Sequence, residues 1–182
     1  MKIISTPIQD LILIDPKSHK DERGFFLEAF QAERYQRLLK KDIYFVQDNL
    51  SRSSKGVLRG LHYQIEQPQD KLVTVIRGSI FDVAVDIRTD SATYRQWFGI
   101  ILNDENHYQL FIPKGFAHGF CVLSEVADFH YKCSDYYNPK AEQGILWSDP
   151  NLSIDWPLQA PIISSKDKNY ACLKNIPSDL LF

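Results

Sequence analysis

The chain has 182 residues, 44% hydrophobic and 24% charged, which fits one folded domain and excludes a disordered polymer. Lys and Arg number 21 against 23 Asp and Glu, a formal net charge of −2, so no basic surplus exists for holding nucleic acid or an anionic membrane. Aromatic residues reach 13% beside a single Met, a composition that builds cores from stiff side chains and favours strands.

The N-terminal stretch MKIISTPIQDLILIDP alternates apolar and polar residues and lacks the apolar centre of a secretory signal, so it reads as mature structure. No segment approaches the roughly 20 apolar residues of a membrane span. DERGFFLE then sets Arg23 and Glu28 on either side of Gly24-Phe25-Phe26. This is either a β-turn with an exposed charge on each flank or a guanidinium fork for a diphosphate beside two rings for stacking. AERYQRLLKK places Tyr35, Leu38 and Leu39 at i, i+3 and i+4 and predicts a single short helix.

The densest polar cluster follows, QDNLSRSSKGVLRGLHYQ, residues 47–64. On an extended segment Gly60, His62 and Gln64 share one face, and Arg59, Leu61 and Tyr63 the other. Lys71 opens the next strand and can point into the same interior. Either His62 and Lys71 line a small-molecule site at a barrel mouth, or they are a hydrogen-bonded core histidine and a solvated lysine. GSIFDVAVDIR alternates strictly, with Phe81, Val83, Val85 and Ile87 on one face and Asp82, Ala84, Asp86 and Arg88 on the other. QWFGIIL is a further strand, closed by the turn NDEN. HYQLFI, the loop PKGFAH, GFCVL and DFHYKC come next. Tyr131 alternates inward with Phe129 and Cys133, as a proton donor or as a packed core tyrosine. His19, His107 and His130 read as solvated or structural.

After Trp156-Pro157 the tail predicts turns or a short helix. Cys121, Cys133 and Cys172 are odd in number and have no C-x-x-C spacing, which argues against disulfides or a Cys-rich zinc site and for a reducing cytoplasm. The expectation is one mostly antiparallel β domain over residues 1–182, with its barrel core at about 43–148.

IPKGFAHGF, residues 112–120, has the pattern P-x-G-x-x-H and resembles the second half-motif of the cupin double-stranded β-helix, a jelly-roll barrel. Metal-binding cupins supply H-x-H and a Glu from the first half; here that half reads His62-Tyr63-Gln64. Two neutral imidazoles without a nearby carboxylate make a poor first-row metal site, so chemistry without a metal is expected. Neither Walker A nor G-x-G-x-x-G occurs, and any nucleotide must be held by side chains rather than a glycine cradle.

Taken together, the stretches from Asp21 to Glu28, Gln47 to Gln64 and Lys71 to Val73, then FDVAVDIR, IPKGFAHGF, YKC-x-x-YY-x-P-x-x-E-x-G-I-x-W-x-DP and SKD at 165–167, resemble the dTDP-4-dehydrorhamnose 3,5-epimerases, nearly end to end. The one departure noted, Ala92 in place of the family's usual Pro, lies in a turn remote from the chemical positions. The resemblance implies a cupin-type jelly-roll barrel with a few short helices, a homodimer without metal or other cofactor, and a dTDP-4-keto-6-deoxyhexose substrate. It assigns His62 as base with Asp167 as its hydrogen-bond partner, Tyr131 as proton donor and Lys71 as the cation on the enolate. Arg23, Glu28, Gln47, Asn49, Arg59, His118, Glu142 and Lys166 match substrate-binding positions. The alternatives are a C5-only or C3-only epimerase, a 3,4-ketoisomerase, or a silent cupin that binds a sugar nucleotide.

Overall fold

The period-two segments fold into thirteen strands in the computed structural model, which describes residues 1–182. In chain order these are β1 (Lys2–Ser5), β2 (Ile12–Asp15), β3 (Ser18–Asp21), β4 (Gly24–Leu27), β5 (Gln47–Ser54), β6 (Leu58–Gln64), β7 (Lys71–Arg77), β8 (Ser79–Asp86), β9 (Trp97–Asn103), β10 (Gln109–Ile112), β11 (Phe116–Val122), β12 (Val126–Cys133) and β13 (Glu142–Gly144). Two antiparallel sheets face each other, one in the order β1-β2-β10-β7-β12-β5 and the other β13-β6-β11-β8-β9, while β3 and β4 form a separate hairpin. This is the two-sheet, cupin-like jelly roll expected from the strand spacing.

Apolar side chains from the facing surfaces, among them Leu13, Val73, Val75 and Leu110 from the first sheet and Ile80, Leu102 and Phe116 from the second, meet in the central core. Each sheet also buries its outer surface. Helix α1 (Ala32–Leu39) lays Tyr35 and Leu39 on Ile14, Leu72 and Phe111 outside the first sheet. Eight residues are too few to hold a helix in water on propensity alone, so this burial keeps it folded. The helix begins under the Gln31 side chain, which accepts from the Arg34 amide, and Lys40 ends it in a left-handed conformation, earlier than the full AERYQRLLKK run.

Outside the second sheet, Ile145, Leu152, Trp156 and Leu173 of the C-terminal segment cover Leu58, Leu61, Val83, Val85 and Ile87. The apolar face of GSIFDVAVDIR therefore points outward, under this cover. Its other face carries Ala84 into the central core and buries Asp82 and Asp86.

The alternation expected for GVLRGLHYQ breaks at Gly60. His118 of β11 pairs with His62 and Phe120 with Arg59, so between these pairs Gly119 of β11 opposes two residues of β6, Gly60 and Leu61. Gly60 has φ +115, and a Cβ there would stand 2.5 Å from Gly119 Cα, so the bulge needs glycine. The slip turns Arg59 to the side of His62, not of Leu61 and Tyr63. PKGFAH is likewise not all loop: Gly115 (φ +87) completes the turn, and Phe116, Ala117 and His118 pair with β8.

Candidate active site

The space between the sheets opens into two cavities, about 470 and 360 Å³, each of a size suited to a small ligand. His62, Lys71 and Tyr131 line both of them. Lys71 and Tyr131 project from the first sheet, on neighbouring strands β7 and β12, while His62 and His118 project from β6 and β11 of the second.

His62 is held from the C-terminal segment. Helix α2 (Ser165–Lys168) starts under the Ser164 hydroxyl, which accepts from the Asp167 amide. The turn delivers the buried Asp167 carboxylate to His62 Nε2 at 2.8 Å, with Gly60 N donating to its second oxygen at 3.3 Å. Burial pushes the Asp167 carboxyl up, but His62 and the Gly60 and Ser164 hydrogen bonds outweigh it and hold the group below its usual value. An Nε2–H engaged by Asp167 leaves Nδ1 as the free lone pair. Nδ1 faces the Glu142 carboxylate at 3.8 Å.

Glu142 accepts from Tyr137 Oη at 2.6 Å and is ion-paired with Lys166. Burial raises this carboxyl too; Lys166, Tyr137 and His62 bring it below its usual value. Lys71 is the opposite case. Burial lowers its ammonium, and Cys133, Glu142 and Asp82 offset this only in part. Tyr131 is pushed up to about 12, first by burial and then by Cys133 and Glu142, with Arg59 opposing. A phenol so placed carries its proton at neutral pH.

Around these groups, Gln47 and Asn49 line the second cavity from β5, with a 3.0 Å hydrogen bond between them, and Arg59 lines the first with Nε on Ser53 Oγ. His118 is buried against Asp82, its Nε2 2.9 and 3.1 Å from the two carboxylate oxygens, and stacks on Phe129. Each cavity imidazole thus has its own carboxylate, and no group of three or more His, Cys, Asp or Glu side chains stands in metal-holding geometry.

Arg23 and Glu28 are not brought to these cavities. Arg23 sits in the β3–β4 turn, its side chain 85% exposed and paired with Asp21, because local Asx-type contacts satisfy it there. Glu28 is paired with Arg34 of α1 at 2.6 Å. Sequence reasoning missed Asp82, Tyr137, Ser164 and Tyr170. Tyr137 lay inside a quoted motif, but only the fold shows which of the two adjacent tyrosines reaches Glu142.

No helix is long and apolar enough to cross a membrane. The family model described as dTDP-4-dehydrorhamnose 3,5-epimerase matches residues 5–175. A dTDP-4-dehydrorhamnose 3,5-epimerase of Shigella flexneri is 52% identical over 170 residues, 93% of this chain and 94% of the relative. The crystal structure of dTDP-6-deoxy-D-glucose-3,5-epimerase from Legionella pneumophila Philadelphia 1, in complex with dTDP-4-keto-L-rhamnose, superposes with a TM-score of 0.97 at 57% identity, covering 99% of this chain and 96% of that one. A dTDP-4-dehydrorhamnose 3-epimerase of Streptomyces niveus is more distant, 37% identical over 170 residues, 93% of this chain and 82% of its own.

Proposed function

This chain belongs to the dTDP-4-dehydrorhamnose 3,5-epimerase family, and from that premise we propose how its residues invert C3 and C5 of dTDP-4-dehydro-6-deoxy-D-glucose to give dTDP-4-dehydro-L-rhamnose. The observation that carries the reading is the convergence of His62, Lys71 and Tyr131 on shared cavities from two opposite walls. The C3 and C5 protons are both α to the C4 ketone. Removing either one sends negative charge to the same oxygen, so a single cation lowers both barriers. Lys71 supplies it, and its partial burial strengthens the attraction.

His62 takes the proton at Nδ1, with Asp167 holding the ring at Nε2. Inversion requires the returning proton on the far face of the enolate. Tyr131, protonated and on the opposite sheet, is positioned to give it. One base, one acid and one cation serve both carbons as the ring shifts between steps, and no redox cofactor enters the balance. Gln47, Asn49, Arg59, His118, Glu142 and Lys166 bind the rest of the nucleotide sugar.

Arg23 and Glu28 contact substrate in this reading only in the cavity of a second copy, so the working unit is a homodimer in which each hairpin serves its neighbour. The exposed Phe25 and Phe26 on that hairpin support this. The three free cysteines fit a cytoplasmic enzyme. The test is incubation with dTDP-4-keto-6-deoxyglucose in deuterium oxide. Deuterium at both C3 and C5 of an L-configured product is expected; label at one carbon only makes the protein a mono-epimerase, and no turnover makes it a binder.

A further inference from the structure

Tyr170 lies just beyond α2 and was singled out by neither motif nor spacing. Its ring stands edge-on to the His62 imidazole, centroids 5.9 Å apart and planes at 70°. Gly144 of β13 is the register partner of His62, and a methyl group added there would overlap the Tyr170 ring. The backbone at Gly144 does not demand glycine, since its φ lies outside the left-handed range. What fills the missing side chain is the tyrosine ring. Its buried Oη has the Lys166 ammonium as its polar neighbour but makes no hydrogen bond of good geometry to it, and that ammonium is already ion-paired with Glu142, so the ring rather than the hydroxyl makes the close contacts.

We propose that Tyr170 is a positioning residue for the base, its ring wedged between Gly144 and His62 so that the imidazole cannot swing about its Asp167 hydrogen bond. The inference rests on His62 acting as the base. One hydrogen bond at Nε2 fixes one point of the ring and leaves it free to pivot. Nδ1 must nevertheless meet an α-proton within a few tenths of an ångström, first at one carbon and then at the other. A packed aromatic edge supplies the second point. Gly144 is the complement, an empty position on the neighbouring strand that gives the ring its seat.

Tyr170→Phe, Tyr170→Ala, Gly144→Ala and the double variant Gly144→Ala/Tyr170→Ala test this by solvent deuterium wash-in, kcat, KM and thermal midpoint. Loosening the base should lower wash-in and kcat by on the order of 10-fold in Tyr170→Ala and in Gly144→Ala, with KM within about twofold. Tyr170→Phe should keep the wild-type rate, because the ring and not the hydroxyl does the positioning. The double variant should be no slower than Tyr170→Ala, since no ring remains for the added methyl to displace. Wild-type turnover in Tyr170→Ala, or two losses that multiply to roughly 100-fold, would overturn the proposal. If Tyr170→Ala does not fold, Gly144→Ala carries the test, and a wild-type rate there overturns it. A wild-type protein that exchanges neither carbon sinks the epimerase reading itself, an outcome distinct from any pattern among the variants.

Discussion

Asp86 and His62 both sit among buried charge, but the first is saturated and the second is not. Asp86 accepts from the Arg88 amide, from Arg88 Nε and Nη2, and from the hydroxyls of Ser91 and Thr93, all between 2.6 and 3.0 Å. Arg88 in turn reaches Asp10 and the Gln9 carbonyl, which ties the N-terminal segment to the β8–β9 loop. Nothing in that cluster is left to bind a ligand. Around His62 the carboxylates are anchored just as firmly, by Lys166, Tyr137 and the Gly60 amide, yet the Lys71 ammonium and the Tyr131 phenol line open cavities, and Nδ1 has only Glu142, 3.8 Å away. A buried polar group costs free energy unless it is paired. Groups left unsaturated at a cavity wall are available to a ligand, whereas a saturated cluster such as that of Asp86 ties chain segments together.

The largest effect expected from this contrast is at His62. His62→Ala should abolish both solvent exchange and inversion, a loss of at least about 10²–10⁴ in kcat, while the fold survives; exchange that persists at either carbon would mean a second base. Next comes Lys71→Ala, which should lower kcat by on the order of 10²–10³ and change KM far less, because the charge is needed once the enolate forms. A variant that binds poorly but turns over normally would move Lys71 to the diphosphate.

Asp86→Ala should behave in the opposite manner. It leaves Arg88, Ser91 and Thr93 short of their acceptor and should cost about 1–3 kcal/mol of unfolding free energy, with kcat per folded molecule unchanged. A denaturant melt beside an activity assay decides it, and lost activity at full stability would erase the distinction between the two clusters.

The smallest effect is on acid stability. Asp86 is raised by burial but held below its usual value by Arg88, Ser91 and Thr93, and Asp167 and Glu142 are likewise low. Such groups bind fewer protons folded than unfolded. Their stabilisation is complete above the unfolded values, 3.8 for Asp and 4.5 for Glu, and is lost as pH falls through the lower folded ones. The thermal midpoint should be flat from neutrality to about pH 5 and decline below it. Asp86→Asn should flatten part of that decline, and a midpoint indifferent to acid would contradict the sign.

Much of this was legible in the residues. Alternation located β8 and β12, an apolar run closed by a turn located β9, and i, i+3, i+4 spacing located α1. Alternation separates two faces of a strand but cannot say which one is inside, and in β8 the apolar face lies outward under a C-terminal cover 60 or more residues away in sequence. The bulge at Gly60 was equally hidden, because a one-residue slip depends on the close approach of Gly119. Lys71 and Tyr131 could be placed inward from their own strands. Asp167 could not: its contact with His62 spans 105 residues, and family resemblance alone pointed to it. Tyr170 had no signal of either kind.

Tyr131→Phe in deuterium oxide tests most directly whether base and acid act from opposite walls of one cavity. With His62 and Lys71 intact, enolate formation continues and the proton returns from the face it left. Solvent deuterium should enter at C3 and C5 while inversion falls by roughly 10²–10⁴. Inversion of both centres at the wild-type rate would place the proton donor elsewhere and return Tyr131 to the role of a core tyrosine.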